Sequence, residues 1–223
     1  NKNIVLVLMN GRPLNINWAD KNIPSIIEAW QLGTQTGNAV AQVLYGDYNP
    51  SGKLPMSFPR SVGQIPIYYN YKNTGRPGPA NTVFWSQYND QLNTPLYPFG
   101  YGLSYTTFEY SNLKIDNKNL TVGNPINVSV DLKNTGNYTG KEVVQLYIKD
   151  RFASVTRPVR ELKGFEMISL NPGEIKTVNF EISETLLQFY SANEIWESES
   201  GFFDIFIGTN SNADLQESFE LIK

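Results

Sequence analysis

The chain has 223 residues, 40% hydrophobic and 13% aromatic, which suits one or two domains with a buried core and excludes a disordered tail. A formal charge of −3 with interspersed signs leaves no basic patch, which argues against nucleic acid. Cysteine and histidine are both absent, so disulfides, thiolate nucleophiles, zinc sites built on those residues and the Ser-His-Asp triad are excluded.

In chain order, Ile4-Val5-Leu6-Val7-Leu8-Met9 comes first and is the longest apolar run. It is far short of the roughly 20 residues that span a bilayer, so no membrane association is expected, and no signal peptide is visible. A continuous run of this kind predicts a strand buried on both faces of a parallel sheet. Ile26 to Trp30 predicts a second buried segment, ending at Gly33. Ala39, Val40, Val43 and Leu44 at helical spacing predict a helix over Gly37 to Tyr45, with Gly46 as its stop. A short strand around Lys53 to Phe58 follows. Strand, loop, strand, helix and strand read as the end of an α/β layered domain, with too few elements to cover both faces of its sheet. Such a sheet leaves an unpaired apolar edge beside Ile4 to Met9, to be covered by self-association, another chain or further sequence of the same protein.

Asn70 to Pro95 is a polar, Gly/Pro/Asn-rich stretch carrying Tyr71, Phe84, Trp85 and Tyr88, longer than a plain connector needs. After Phe108 the period becomes two. Ile126, Val128, Val130 and Leu132 alternate with polar residues, then Val144, Leu146 and Ile148, Val178, Phe180 and Ile182, and Phe203, Ile205 and Ile207. About seven short strands over ~110 residues is the pattern of an immunoglobulin-like, fibronectin type III sandwich. The expected architecture is an α/β partial sandwich over residues 1–104, with an incomplete, mostly parallel sheet, followed by an all-β fibronectin type III sandwich over residues 105–223.

Four ordered segments carry a resemblance. Gly46-Asp47-Tyr48-Asn49-Pro50-Ser51-Gly52-Lys53-Leu54-Pro55-Met56-Ser57-Phe58-Pro59 and Pro98-Phe99-Gly100-Tyr101-Gly102-Leu103-Ser104-Tyr105-Thr106 resemble the segments that close the second domain of family-three glycoside hydrolases. Val7 to Leu14 resembles the strand and turn before that domain's last helix, and Arg157-Pro158-Val159-Arg160-Glu161-Leu162-Lys163-Gly164-Phe165 resembles part of its fibronectin-like third domain. The nearest look-alikes are periplasmic bacterial β-glucosidases, which implies a periplasmic or secreted enzyme. The resemblance implies a barrel, then an α/β sandwich, then the fibronectin-like domain, with an Asp nucleophile in the barrel. The acid/base Glu would lie upstream of the strand matching Ile4 to Met9. Neither motif occurs here, so no catalytic residue is assigned, and the chain alone is expected to be inactive. No cofactor or metal is expected.

The carboxylates preceding the β-rich region, Asp20, Glu28, Asp47 and Asp90, offer no pair suited to a retaining mechanism. Glu28 falls within a buried-looking strand, where an acid could be tuned upward, but the commoner role there is a strand end or a partner for a lysine. Asp47 reads as a turn residue capping its own backbone. Gly52-Lys53 fails as a phosphate loop, because five residues separate Gly46 from Gly52 and Leu54 follows the lysine. Aromatic rings pack on the axial C–H faces of sugars. The resemblance places loops of the second domain at the pocket mouth, which would put Phe84, Trp85, Tyr88 and Asp90 at an outer sugar subsite for an oligosaccharide or β-glucoside. Relatives often carry Ser-Arg-Tyr where this chain has Ser86-Gln87-Tyr88. The competing reading packs these rings against the β-rich region. Tyr97, Phe99, Tyr101, Tyr105 and Phe108 read as glue between the two regions, with Gly100 and Gly102 permitting tight turns. A different class remains open: a non-catalytic carbohydrate-binding or adhesion module of fibronectin type.

Overall fold

The computed structural model describes residues 3–78 and 84–223; residues 79–83, inside the Asn70 to Pro95 stretch, lie outside it. Strand β1 (Val5–Leu8) pairs in parallel with β2 (Ser25–Glu28), with helix α1 (Asn17–Asn22) between them in the chain. Helix α2 (Thr36–Tyr45) follows a 3-10 turn and stops at Gly46, whose φ of 84° is open to glycine without a Cβ clash.

Three expectations for this region are corrected. Helix α1 occupies a stretch read as loop, because six residues are too few for an apolar period to register. Strand β1 is not buried on both faces: Val5 is 43% exposed and Met9, just past its end, 62%, since the sheet has two strands only. Residues 53–58 do not join this sheet. They run antiparallel to 96–101, with Leu54 N–H donating to the Tyr101 carbonyl at 2.8 Å and Phe58 N–H to that of Tyr97 at 2.9 Å. Gly100 N–H returns to Leu54, and Leu96 N–H to Phe58, at 2.8 and 2.7 Å.

The rest of the chain is mostly strand. In order come β3 (Phe108–Ile115), β4 (Asn119–Thr121), β5 (Ile126–Asn134), β6 (Gly140–Asp150), β7 (Glu161–Leu170) and β8 (Ile175–Ile182). Then follow β9 (Phe189–Tyr190), β10 (Trp196–Glu197), β11 (Gly201–Gly208) and β12 (Leu215–Ile222). One sheet has the order β4-β12-β11-β6-β7 and another β3-β5-β8; β9 and β10 form a small pair. The alternating residues Val128, Val130 and Leu132 of β5, Leu146 and Ile148 of β6, and Ile205 and Ile207 of β11 meet in one buried cluster drawn from both larger sheets. Burying each such side chain contributes about 1.5–3 kcal/mol, which makes this cluster the main source of stability.

Strand β6 departs from simple alternation. Gln145 and Tyr147, on its other face, are buried as well, because Tyr69, Phe99 and Gly100 cover them. Tyr69 stacks on Phe99 at 4.2 Å between centroids and meets Tyr147 edge-on at 5.9 Å. Gln145 Nε2 donates to the carbonyls of Gly100 and Thr209 at 3.1 and 2.7 Å, while its Oε1 accepts from Tyr147. A Cβ on Gly100, where φ is 80°, would stand 2.1 Å from that Oε1.

At the start of β6, Lys53 Nζ donates to both oxygens of Glu142 at 3.1 and 2.9 Å and to Thr209 Oγ1 at 2.7 Å. Tyr110, from the opposite sheet, donates to Glu142 Oε1 at 2.8 Å. The two charged side chains are 10% and 4% exposed, so this is a buried ion pair with its remaining polar positions filled. Nearby, Asn49 Oδ1 accepts from Ser104 and from Tyr105 N–H, and its Nδ2 donates to the Thr139 carbonyl at 3.0 Å. Asn49, and not Asp47, therefore does the polar work of that turn.

Strand β6 ends on Asp150, whose carboxyl is pushed up to about 6 by burial. Phe152 N–H and Arg157 oppose the shift; Glu199 and Glu161 add to it.

Replacing Lys53 with Met strands the Glu142 charge, and we expect a loss of about 3–5 kcal/mol in denaturant unfolding. Adding Glu142→Gln should restore part of it, since the uncompensated charge is then gone. Because the Asp150 pKa is raised on folding, its contribution is full below the ordinary aspartate range and lost as pH rises through about 6. Asp150→Asn should therefore gain stability relative to the parent between about pH 4 and pH 7, read as a pH series of melting temperatures.

Candidate functional site

The aromatic stretch is folded back on itself and tied to residues 60–64. Ser86 N–H donates to the Arg76 carbonyl at 2.8 Å, and Thr74 Oγ1 to Ser86 Oγ at 3.0 Å. Asn93 spans the turn, accepting from Tyr88 N–H at 3.0 Å and donating to the Ser86 carbonyl at 2.9 Å. Such a bracket is local chemistry that Asn performs well, because its amide offers donor and acceptor together. Gln64, itself buried, donates to the Leu92 carbonyl at 2.9 Å, and Gln91 to Ser61 Oγ at 2.8 Å. Arg60 Nε closes the far end on the Thr94 carbonyl at 3.0 Å.

On this scaffold Phe84 is 72% exposed, Trp85 39% and Tyr88 42%, and Asp90 is exposed on the same loop. Phe84 is thus not packed against the β-rich region, as the competing reading required. The Tyr88 hydroxyl reaches the Gly63 carbonyl at 3.4 Å, so that ring leans on the N-terminal region. The arrangement offers apolar faces with a hydroxyl and an indole N–H at their edges, chemistry that suits sugar C–H faces and hydroxyls.

The rings read as glue behave differently. Trp30, Phe58, Tyr97 and Tyr101 form a continuous file, with centroids 6.1, 6.1 and 5.1 Å apart. Tyr97 donates to Asp20 Oδ1 at 2.5 Å, Tyr105 donates to the Val43 carbonyl at 2.5 Å, and Phe108 packs on the large core. Burial, followed by the Asp20 carboxylate, raises the Tyr97 pKa, so its phenol stays protonated as a donor.

Among the carboxylates, Glu28 is the last residue of β2 and accepts from Trp30 N–H at 3.1 Å and Asn10 Nδ2 at 3.4 Å. Burial raises its pKa, and those two hydrogen bonds oppose the rise. Its task is local: Trp30 has a φ of 47°, uncommon for a bulky residue, and the Glu28 carboxylate holds its N–H there. Glu109 and Asp214 both line an open groove of about 630 Å³ between residues 98–110 and the β11–β12 turn. Both are exposed to solvent. Among the described residues, no group of three or more acidic side chains is placed to hold a metal ion. No helix among them is long and apolar enough to cross a membrane.

Sequence reasoning missed Lys53, Asn49 and Gln145 as organising residues. Only Gly100 hinted at a close approach, and its partner lies 45 residues away.

Comparison with known proteins bears on what this architecture belongs to. The chain is 51% identical to a periplasmic β-glucosidase of Salmonella typhimurium, over 99% of this chain and 29% of that protein. It is 46% identical to a β-xylosidase of Formosa agariphila, over 96% and 29%. The crystal structure of a Listeria innocua β-glucosidase in complex with glucose matches with a TM-score of 0.92 at 42% identity, covering 98% of this chain and 31% of that one. The chain thus spans about three tenths of the length of the relatives it matches. Residues 1–105 match the glycosyl hydrolase family 3 C-terminal domain, and residues 142–211 match a fibronectin type III-like domain. The chain belongs to glycosyl hydrolase family 3 and corresponds to its C-terminal part.

Proposed function

We propose that this chain is the C-terminal part of a retaining β-glucosidase that cleaves β-linked glucosides, with nucleophile and acid/base on polypeptide outside it. The observation that carries this reading is 51% identity to a β-glucosidase over nearly the whole chain. The Formosa agariphila β-xylosidase, at 46%, keeps a β-xyloside as the second substrate to assay. The relative named periplasmic supports a periplasmic or secreted enzyme.

Within that enzyme the division we infer is an α/β portion over residues 1–104 and a fibronectin type III sandwich over 105–223. It is supported by the change from irregular chain to continuous strand at Phe108 and by a core shared between two sheets. The second portion acts as scaffold. The first contributes a rim: Phe84, Trp85, Tyr88 and Asp90 border the outer sugar subsite, supported by ring exposure on an internally bonded loop. The apolar face around Met9 and Trp18 is covered by the rest of the enzyme, since Trp18 is 71% exposed here.

Two outcomes are expected. The 223-residue chain alone should show no turnover of an aryl β-glucoside and should self-associate in light scattering; enzyme-like turnover would refute the placement of the catalytic pair. In the full-length enzyme, Trp85→Ala with Tyr88→Ala should raise KM for a disaccharide about tenfold, as loss of about 1.4 kcal/mol of stacking implies. An unchanged KM would remove the loop from the site.

A further inference from the structure

The β6–β7 connection, residues 151–160, is longer than the two to five residues usual for a hairpin loop, yet it is held along its length. Glu199 accepts from Ser154 N–H at 2.8 Å and from the Ser154 hydroxyl. Arg157 Nη2 donates to Glu161 at 2.6 Å, and its guanidinium lies 4.4 Å from the centre of the Phe189 ring. Its Nε faces Asp150 Oδ2 at 3.9 Å and is buried with no hydrogen-bond partner among the described residues. Lys163 reaches the same Glu161 at 3.9 Å. Arg160 donates to the carbonyls of Ser211 and Ala213 at 2.8 and 2.9 Å, which fixes the connection's end.

Directly beside Arg157, the chain meets the root of the aromatic loop. Pro158 bridges Lys72, Val159 N–H donates to the Tyr71 carbonyl at 2.9 Å, and Leu162 N–H donates to the Tyr69 hydroxyl at 3.1 Å. Residues 69–72 thus lie along residues 158–162, the end of the connection and the first residues of β7, the edge strand of its sheet. From there the loop's own bonds lead through Arg76 to Ser86, between Trp85 and Tyr88.

We propose that Arg157 is a positioning residue for the aromatic loop: clamped by Glu161, Asp150 and Phe189, it sets residues 158–159 and through them the root at 69–72. Its effect on catalysis rests on the reading that Phe84, Trp85 and Tyr88 border the sugar site. Arg157 touches no reacting group, so the effect falls on substrate binding more than on the chemical step. Around it, besides the Phe189 ring, stand Asp150 and Glu161 at the two strand ends, Lys163 on β7 and Glu199 before β11, so removing the cation leaves carboxylates facing one another.

The test uses the full-length enzyme with Arg157→Met, which keeps an apolar stem on Phe189, and Arg157→Lys, which keeps the charge but loses the planar fork. Hydrogen–deuterium exchange at 69–78 should accelerate on the order of tenfold in Arg157→Met, with protection in β5 and β11 unchanged. KM for an aryl β-glucoside should rise about tenfold, with kcat within about twofold, and Arg157→Lys should recover part of both effects. Unchanged exchange at 69–78 in a folded variant overturns the proposal. If Arg157→Met does not fold, Arg157→Lys decides, and unchanged exchange at 69–78 again overturns it. Faster exchange with an unmoved KM supports the positioning role and instead removes the loop from the substrate site.

Discussion

The pair formed by Lys53 and Glu142 constrains more of this chain than any other contact. Among the described residues of 46–107 regular secondary structure is sparse, a single 3-10 turn and the short antiparallel pairing of 54–58 with 96–101, so their path over the sheets needs an anchor outside them. A carboxylate 4% exposed at the start of β6 must find a cation, and Lys53 supplies it across 89 residues of sequence. Tyr110 and Thr209 fill the remaining positions, so the pair is anchored to both larger sheets at once. Once Lys53 is docked, the neighbouring Asn49 bonds and the Leu54 to Phe58 ladder follow within a few residues on either side.

That anchoring explains how an irregular stretch carries an ordered surface. The 54–58 and 96–101 segments are tied to each other, the 69–72 segment lies along residues 158–162 where β7 begins, and Gln145 grips Gly100 from the other face of β6. The aromatic loop leaves and returns between these fixed points, with Asn93 and Gln64 closing it internally. Loops that present side chains to a ligand work best when the ordering cost is met before binding, and anchoring of this kind does so.

Much of the β-rich region was legible because burial on one face imposes a period of two, and Ile126 to Leu132 or Phe203 to Ile207 display it without interruption. The end of α2 was legible for an equally local reason, since Gly46 adopts a left-handed φ. The burial of Gln145 and Tyr147 was not legible, because alternation at Val144, Leu146 and Ile148 reports one buried face and is silent about chain covering the other. Lys53 drew notice only as a failed phosphate loop; its partner lies on a strand that no local pattern connects to it. Asp47 drew attention through its turn-rich setting, whereas Asn49 was the residue with both a donor and an acceptor to use. Of the candidate site, composition marked the aromatic loop, but whether its rings face inward or outward was not written there.

What the sequence by itself determined was everything governed by short range: strand periodicity, helix termination, the exclusion of histidine and cysteine chemistry, and ordered motifs sufficient for family resemblance. Only the tertiary structure decided which distant residues neutralise one another, which face of β6 is covered, and that Phe84 stays exposed while Phe99 is stacked. The reason is physical. Periodicity and capping depend on neighbours a few residues apart, whereas burial of a charge or an aromatic ring depends on segments tens of residues away that arrive only when the chain has folded.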